Sequence, residues 1–453
     1  MGKKDIINRN TSFINDFLKE YAEYKKPIEV SFRKLIPEIK NIDRYTHLIH
    51  SYPAKLLVHI PYFFLNNDVF SNEGDIVLDP FGGSGTVLLE SIMANRNAIG
   101  ADANPLARLI AETKTSRQDI NKLEKLLALI IKKAKNNKED FLIPEVVNCD
   151  YWYSSKAQRE LSSILNEISL VEEKYRNFFL VSFSNCVKKV SYADPRISVP
   201  VKLNPERYSI GSTVRKSIEE KLDSLKSIDV YEKFRIISQE NLNRFRLFQA
   251  DHKSEFSGKI ISDDARRLTT SVGSKRRIPK NSVQMIITSP PYASAQKYIR
   301  SSSLSLGWTN LSTIDGLSKL NNKNIGRENY KKSEIQIFET GIFDADNLIS
   351  KIYIKNPLRA TIVCNYLKEM IESLDEMIRV IKSGGYIILI VGNNKVCGFE
   401  FNTEQYITSY LINRGLLLQF KLIDDIKSFG LMTKRNKTAD IISREWVLAF
   451  KKQ

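Results

Sequence analysis

Cysteine is scarce in this chain of 453 residues, with four in all. They are Cys149, Cys186, Cys364 and Cys397, and none of them forms a C-x-x-C pair. A disulfide framework and a thiolate zinc site both use closely spaced cysteines. The sequence therefore argues against both and favours reduced thiols in a cytoplasm.

Histidine is equally rare, and the four histidines are His47, His50, His59 and His252. His47 and His50 are spaced to share one face of a helix, but no Cys or carboxylate nearby completes a ligand set. We therefore expect structural or surface roles for all four, and we predict no bound metal.

Long apolar runs are absent from the sequence. No uninterrupted run approaches the roughly 20 residues that a membrane helix needs, and residues 1–6 lack the apolar segment of a signal peptide. The composition, 42% hydrophobic and 27% charged, is that of a chain that buries a sizeable core and divides into two or more domains. We expect a soluble, cytoplasmic protein without a membrane partner.

Acidic residues are outnumbered, since 52 Asp and Glu face 69 Lys and Arg, for a formal net charge of +17. Such a charge draws a protein to a polyanion through counterion release, and nucleic acid is the polyanion we favour. Charge alone does not separate DNA from RNA, and lysines spread over a surface also serve solubility. The clusters Lys275-Arg276-Arg277 and Lys434-Arg435 are accordingly either phosphate contacts or solvated loops.

Short apolar runs that end in polar residues predict the strands of a doubly wound α/β sheet. The runs are residues 74–79, 98–101, 259–262, 283–288, 386–391, 416–423 and 445–450. Apolar residues recur at steps of three and four from Val363 to Ile381, which predicts one amphipathic helix ending at a glycine stop at 382–385.

Two segments interrupt this pattern. Residues 116–255 are mostly helical and polar, with Leu123 and Leu127 on one helix face and lysines on the other, so we interpret them as an insertion. Residues 309–358 are rich in Asn, Lys and Ser without clear periodicity and form a second excursion. The chain thus divides into residues 1–115, 116–255 and 256–453.

The loop Asp79-Pro80-Phe81-Gly82-Gly83-Ser84-Gly85-Thr86 places glycines where a strand turns sharply into a helix and a ligand approaches the backbone. Its spacing is not that of a G-x-G-x-x-G dinucleotide fingerprint. S-adenosylmethionine has no phosphates and needs polar backbone groups, a carboxylate near its amino-acid end and another for its ribose hydroxyls. Asp79 and Asp102 are suited to these two roles. The alternative is a packing turn with two solvated aspartates.

The loop Thr288-Ser289-Pro290-Pro291-Tyr292 follows another strand, at the edge of the sheet where ligands of open α/β folds bind. Its prolines remove two N–H donors and leave the Pro290 carbonyl and the Ser289 hydroxyl as acceptors. Acceptors for an amino group beside an aromatic ring for stacking, here Tyr292, suit a flipped base whose nitrogen attacks the sulfonium methyl directly. Taken alone, the loop is also compatible with a rigid proline turn that ends the strand.

Together these motifs resemble those of the DNA amino-methyltransferases of restriction-modification systems, which make N4-methylcytosine or N6-methyladenine. Residues 79–86 resemble the family's first motif, Asp102-Ala103-Asn104-Pro105 its ribose and adenine contact, and residues 289–292 its catalytic motif. Asp264 is similar to its contact with the adenine amino group, and Tyr52-Pro53-Ala54-Lys55 to the segment that closes over the methionine end. Thr288 joins the expected cofactor contacts.

The resemblance implies a Rossmann-like sheet of seven strands, mostly parallel, with an antiparallel last hairpin closed by residues 445–450. It also implies S-adenosylmethionine as cofactor, double-stranded DNA as substrate and a cognate restriction endonuclease as partner. The insertion at 116–255 resembles a target-recognition region in the family's alpha arrangement. Ser289 favours cytosine N4 over adenine N6, because the family's cytosine enzymes usually begin this motif with Ser.

Three rival functions place different demands on these residues. A cytosine-C5 methyltransferase needs a nucleophilic Cys, typically after Pro, and none of the four cysteines follows a proline. RNA guanine-N2 methyltransferases have similar glycine and Pro-Pro-Tyr loops and remain an alternative. The alternative that is not an enzyme is a DNA-binding protein with a degenerate methyltransferase fold. The intact motifs argue against it.

Because the sequence lacks a metal ligand set, we expect methyl transfer by this chain to survive a chelator. The measurement compares transfer rates with and without excess EDTA at equal ionic strength. Loss of activity that a stoichiometric divalent cation restores would contradict the prediction.

Overall fold

A computed structural model describes residues 2–39, 44–53, 55–137, 142–253, 255–293, 297–425 and 444–453. Its strands are β1 Ile28–Val30, β2 Ile76–Asp79, β3 Asn97–Ala101, β4 Gly258–Ser262, β5 Val283–Thr288, β6 Ile381–Val391, β7 Asn394–Val396, β8 Phe399–Phe401, β9 Leu416–Asp425 and β10 Arg444–Lys452. Eight of them form one sheet in the order β1-β9-β10-β6-β5-β2-β3-β4, and β7 and β8 form a separate hairpin. The predicted Rossmann-like α/β fold is confirmed.

Strand β10 runs antiparallel to both its neighbours, β6 and β9, and the other pairs of the large sheet are parallel. The strand order reverses between β2 and β5. In an open α/β sheet the carboxyl ends of two such strands border a crevice, because their connections leave on opposite sides. The glycine loop (residues 79–86) and the Ser-Pro-Pro-Tyr loop (residues 288–292) both begin at this crevice.

The sheet has one strand more than the seven that the family resemblance predicts. The additional strand, β1, pairs in parallel with β9, with Ile28 opposite Leu422. Three residues are too few for an alternating or continuous apolar pattern to appear in the sequence, so only the pairing partner reveals this strand.

The glycine stop predicted at 382–385 lies inside β6, which is a correction to the sequence prediction. The helix before it ends at Val380 and the strand begins at once at Ile381. Pairing with β5 shifts between Val283, opposite Ile381, and Met285, opposite Tyr386. Gly384 has a φ of +76°, so the extra residues form a bulge instead of ending the pairing.

Helices cover both faces of the sheet and fill the insertion. They are α1 Lys3–Tyr24, α2 Phe32–Leu35, α3 His59–Leu65, α4 Thr86–Met93, α5 Pro105–Thr115, α6 Ile120–Asn136, α7 Cys149–Trp152, α8 Ser155–Ser169, α9 Glu173–Lys189, α10 Thr213–Lys226, α11 Val230–Asp251, α12 Tyr298–Trp308, α13 Ile314–Lys323, α14 Phe343–Lys355, α15 Pro357–Val380 and α16 Thr403–Asn413. Short 3-10 helices occur at Tyr45–Leu48, Pro205–Arg207 and Lys332–Glu334.

Two apolar cores lie on opposite faces of the sheet, because successive side chains of a buried strand point to opposite sides. In β6, Ile388 and Ile390 pack with α1 and α3, whereas Ile387 and Leu389 pack with α14, α15 and α16. A third core joins α6, α8, α9 and α11 to α5. The helical insertion thus rests on the helix that follows β3, beside the crevice.

The start of α4 depends on a glycine that tolerates no side chain. Gly85 has a φ of +78°, and a Cβ there would lie 2.9 Å from Cα and Cβ of Ala111 on α5. Gly74 has a similar φ of +82° with open space around it. We expect Gly74→Ala to lower the free energy of unfolding by about 1 kcal/mol through left-handed strain. Gly85→Ala should lower it by a further 1 to 3 kcal/mol, roughly, through overpacking.

The comparison is made by urea unfolding of both variants and the parent chain. Equal losses in the two variants would mean that α4 and α5 separate at little cost, which would contradict the close approach.

Candidate active site

The two loops that the sequence singles out meet directly. Asp79 ends β2 and Thr288 ends the neighbouring strand β5, which places their side chains together at the carboxyl edge of the sheet. The Thr288 hydroxyl donates a hydrogen bond of 2.6 Å to Oδ1 of Asp79, and both residues are buried. The same oxygen accepts the backbone N–H of Phe81 at 3.1 Å.

The Asp79 carboxyl is an unusually basic one. Burial raises its pKa to about 7. The hydrogen bonds from Thr288 and from the Phe81 N–H favour the ionised form and lower the pKa, whereas the nearby Asp102 raises it by a smaller amount. A raised pKa marks a group whose charge depends on what occupies the site. A cation placed beside Asp79 would draw the carboxyl into its ionised form.

Asp102 ties the glycine loop to the end of β3. Its Oδ2 accepts the backbone N–H of Gly83 at 2.9 Å, and its Oδ1 accepts that of Asn104 at 2.8 Å. Burial raises the pKa of Asp102, while these two N–H groups and Arg108 oppose the rise. Each carboxylate oxygen keeps a further lone pair for another donor.

The buried Asn104 side chain joins three segments of the site. Its Oδ1 caps α5 by accepting the N–H of Leu106 at 3.0 Å. Its Nδ2 donates to the Tyr52 hydroxyl at 3.1 Å and to the Ser302 hydroxyl at 3.0 Å. Asn104 therefore shapes the wall of the site from behind, and it does not line the cavity.

A cavity opens over these groups. Of the residues singled out in the sequence, those that line it are Tyr52, Lys55, Asp79, Pro80, Phe81, Gly82, Gly83, Ser84, Thr86, Asp102, Ala103, Asp264, Ser289 and Pro291. Those that lie outside its lining are Pro53, Gly85, Asn104, Thr288, Pro290 and Tyr292. Ala54 falls outside the described residues.

Seven further residues line the cavity and were not predicted from the sequence: Leu56, Asp263, Ala265, Tyr298, Lys323, Asn324 and Ile325. Lys323 is the last residue of α13, and Asn324 and Ile325 follow the helix. All three belong to the excursion at 309–358, whose lack of periodicity hid its role. Lys323 is held there by Asp263, which accepts from its Nζ at 3.2 Å. The excursion therefore returns to the core and closes one side of the cavity.

Ser84 leaves an unsatisfied polar atom in the glycine loop. Its hydroxyl is buried and has no hydrogen-bond partner among the described residues, and the residue lines the cavity. A buried hydroxyl without a partner costs free energy, so the loop is arranged for a ligand that supplies one. Two carboxylates with remaining lone pairs and a hydroxyl without a protein partner form a polar set suited to a ligand without phosphates.

The Ser-Pro-Pro-Tyr loop is anchored on the side away from the cavity. Tyr292 is 9% exposed, and its hydroxyl donates to Oε1 of Glu445 on β10 at 2.7 Å. Burial first, and Glu445 second, raise the pKa of Tyr292 well above its usual value. The next carbonyl, of Ala293, accepts from Nδ2 of Asn394 at 2.6 Å. Ser289 and Pro291 remain at the cavity wall.

Asp264 and Lys55, both expected at the cofactor, have protein partners as well. Both carboxylate oxygens of Asp264 accept from the Arg266 guanidinium, at 2.8 and 3.0 Å. The Lys55 ammonium donates to the His47 carbonyl at 2.8 Å. Each therefore presents a fixed side chain at the cavity wall.

Two of the histidines take part in packing and in buried hydrogen bonds. His47 lies 2.8 Å from Glu90 through Nε2, and burial lowers its pKa to about 4. Burial likewise lowers the pKa of His50 to about 3. Within the described ranges, no three side chains of metal-ligating type gather, and no helix is both long and apolar enough to cross a bilayer.

Of the two basic clusters, only Lys275-Arg276-Arg277 lies among the described residues. Arg277 pairs with the buried Glu376, which gives it a structural partner, while Arg276 is exposed. The cluster Lys434-Arg435 lies outside the described residues.

Known methyltransferases are similar in sequence to this chain. A DNA methylase family model matches residues 22–112, the segment that holds the glycine loop and Asp102. The Type II methyltransferase M.MvaI of Kocuria varians is 23% identical over 389 residues, which cover 80% of this chain and 80% of that protein. M.MjaII of Methanocaldococcus jannaschii is 30% identical over 178 residues, 37% of this chain and 33% of that protein.

A third relative, M.BsoBI of Geobacillus stearothermophilus, is 24% identical over 261 residues, 52% of this chain and 47% of that protein. All three are named Type II methyltransferases. The resemblance read from the motifs is confirmed: the chain is similar to DNA methylases and to Type II methyltransferases.

The contact between Thr288 and Asp79 makes a measurable prediction. We expect the Asp79 carboxyl of the ligand-free protein to titrate near pH 7, because burial outweighs its hydrogen bonds. Thr288→Val removes a hydrogen bond that favours the ionised form, so the midpoint should move upward. The measurement is carboxyl NMR of protein labelled with ¹³C-aspartate, with Asp79→Asn to assign the signal.

Thr408→Val is the matched control, since it removes a buried hydroxyl on α16, far from Asp79 in the fold. A midpoint near that of an ordinary aspartate, or one that Thr288→Val leaves unmoved, would contradict the prediction.

Proposed function

We propose that this chain transfers a methyl group from S-adenosylmethionine to the exocyclic amino group of a flipped base in double-stranded DNA. The observation that carries the proposal is the hydrogen bond from Thr288 to Asp79, which brings the glycine loop and the Ser-Pro-Pro-Tyr loop to one cavity. A methyl donor in one loop and an acceptor amino group in the other would then be neighbours.

The residues of the cavity fit the cofactor. Asp79 is assigned to the ammonium of its methionine end, since a cation there keeps the carboxyl ionised. Asp102 is assigned to the ribose hydroxyls, which its remaining lone pairs can accept. The unpartnered Ser84 hydroxyl supplies a further polar contact, and Gly82 and Gly83 let the cofactor approach the backbone closely. When bound, the cofactor supplies an electrophilic methyl group on a sulfonium.

Ser289 is assigned to the substrate. An amino nitrogen conjugated with a base ring is a poor nucleophile, and acceptors that hold its hydrogens out of the ring plane direct its lone pair at the methyl group. The Ser289 hydroxyl and the Pro290 carbonyl are the acceptors we assign. A base reaches them only when turned out of the duplex, and the net charge of +17 favours binding of the surrounding phosphates.

The finer assignments follow the family resemblance. Ser289 favours cytosine N4, with adenine N6 as the alternative base. The insertion at 116–255, whose helices pack on α5 beside the cavity, is assigned to target recognition. Residues 1–115 and 256–453 are the cofactor-binding and catalytic halves of the core, with the excursion at 309–358 closing the cavity. The chain would act in the cytoplasm, with a cognate restriction endonuclease as partner.

The test identifies the modified nucleoside. Purified protein is incubated with S-adenosylmethionine and genomic DNA from a host without DNA methyltransferases, and the digested nucleosides are separated by mass. We expect N4-methylcytosine. Ser289→Ala should lower the rate roughly 100-fold, the order of loss seen when one preorganised polar contact to a reacting group is removed. Tyr292→Ala should lower transfer further, to below detection.

Ser12→Ala is the control, because Ser12 is an exposed serine on α1, which packs against β9 outside the insertion. N6-methyladenine would overturn the cytosine assignment alone, and transfer to RNA instead of DNA would favour the guanine-N2 alternative. Tight DNA binding without methyl transfer to any nucleic acid would support the alternative of a non-catalytic DNA-binding protein.

A further inference from the structure

Glu445 makes a contact that the proposed chemistry does not yet explain. It is the second residue of β10, yet it accepts the hydroxyl of Tyr292, which follows β5, at 2.7 Å. Strand β6 lies between β5 and β10 in the sheet. The hydrogen bond therefore reaches past the end of β6 and ties the Ser-Pro-Pro-Tyr loop to the antiparallel hairpin.

The charged groups around Glu445 are of both signs. Its cross-strand neighbour is Asp424 on β9, a buried carboxyl whose pKa burial raises to about 6. Arg33 on α2 favours the ionised forms of both, and Asp425 acts on Asp424 in the opposite sense. For Glu445 itself, burial outweighs Tyr292 and Arg33, and its pKa is raised. A carboxylate retained under these conditions costs stability, so its hydrogen bond calls for a functional reason.

The direction of that hydrogen bond constrains Ser289. A tyrosine hydroxyl has one hydrogen, and when Tyr292 gives it to a carboxylate, its oxygen can only accept from other groups. The Ser289 side chain favours the ionised form of Tyr292 and lowers its pKa, against the larger upward effect of burial. The Tyr292 oxygen is thus available as an acceptor, and in the resulting chain Ser289 would donate to Tyr292 while Tyr292 donates to Glu445. In that chain the lone pairs of Ser289 are left for the cavity that it lines.

We propose that Glu445 is a positioning residue of methyl transfer: by accepting the Tyr292 hydroxyl, it keeps the Ser289 oxygen oriented as an acceptor toward the amino group of the base. The inference rests on the proposed function. Glu445 acts through Tyr292 and touches neither substrate nor cofactor. The Ser289 oxygen can accept a hydrogen of the amino group only while the Ser289 hydroxyl hydrogen points away from the base. Glu445 favours that orientation, because it takes the Tyr292 hydrogen and leaves the Tyr292 oxygen as an acceptor for Ser289.

Glu445→Gln is the central variant. Its amide keeps the shape of the side chain but can donate to the Tyr292 oxygen, which would reverse the chain. We expect kcat to fall roughly 10-fold, since a charge-assisted hydrogen bond is replaced by a neutral one. The KM for DNA and the Kd for S-adenosylmethionine should stay within about twofold of the parent values, because binding groups are untouched. Tyr292→Phe in the same background should add little, as expected for residues acting as one unit.

Asp424→Asn is the matched control, because it neutralises the cross-strand carboxyl of the same hairpin without touching Tyr292. It should retain the parent kcat. A loss in Asp424→Asn equal to that in Glu445→Gln, or a change in KM instead of kcat, would assign Glu445 a structural role and overturn the inference.

The pH dependence supplies a readout that a structural role would not move. Glu445 accepts fully only when ionised, so kcat should fall as the pH drops through its raised pKa, above the usual glutamate value of 4.5. This acid limb should disappear in Glu445→Gln. The measurement uses saturating S-adenosylmethionine. Under that condition the titration of Asp79 affects the KM for the cofactor and not kcat. A limb that persists unchanged in the variant would overturn the inference.

A measurement independent of turnover separates this inference from the proposed function. Glu445 raises the pKa of Tyr292, so with ring-fluorinated tyrosine at position 292 the ¹⁹F NMR titration should move to lower pH in Glu445→Gln. A parent protein without methyl transfer would refute the proposed function whatever this titration shows. An unmoved titration, or full kcat in Glu445→Gln beside an active parent, would refute the role of Glu445 alone.

Discussion

The hydrogen bond between Thr288 and Asp79 joins two strand ends that are 209 residues apart in the chain. It exists because β2 and β5 are neighbours at the point where the strand order reverses, so their carboxyl ends border one crevice. The glycine loop leaves from one strand end and the Ser-Pro-Pro-Tyr loop from the other. Every other feature of the candidate site, from the ionisation of Asp79 to the accessibility of Ser289, depends on that adjacency.

Around this contact the site is held by side chains more than by backbone pairing. Pro290 and Pro291 have no N–H to donate, so their loop cannot be fixed by a ladder of backbone hydrogen bonds. Thr288, Tyr292 and the Ala293 carbonyl are instead tied to Asp79 on β2, Glu445 on β10 and Asn394 on the separate β7–β8 hairpin. Asp102 does the same for the glycine loop through two backbone amides. Buried acidic groups thus act as fixed acceptors, and their raised pKa values are the consequence of that burial.

Most of the core was predictable from the sequence, because its signals are local. Strand β5 is found at the predicted residues 283–288, and β2, β3, β4, β9 and β10 differ from their predicted bounds by one or two residues at an end. Buried parallel strands appear as continuous apolar runs, and a sharp turn that approaches a ligand needs glycine. The same holds for the site: the residues of both loops that line the cavity were identified from their chemistry and their position after a strand.

What the sequence by itself determined is therefore the doubly wound core, the two loops and the chemistry they favour. Only the tertiary structure decided the eighth strand, since β1 is defined by its partner β9, and the start of β6, where Gly384 lets pairing continue through an apparent stop. It also decided that the end of α13 closes the cavity and that Glu445 holds Tyr292. These contacts join residues far apart in sequence, and no local periodicity records which distant side chain a folded chain brings to a given atom.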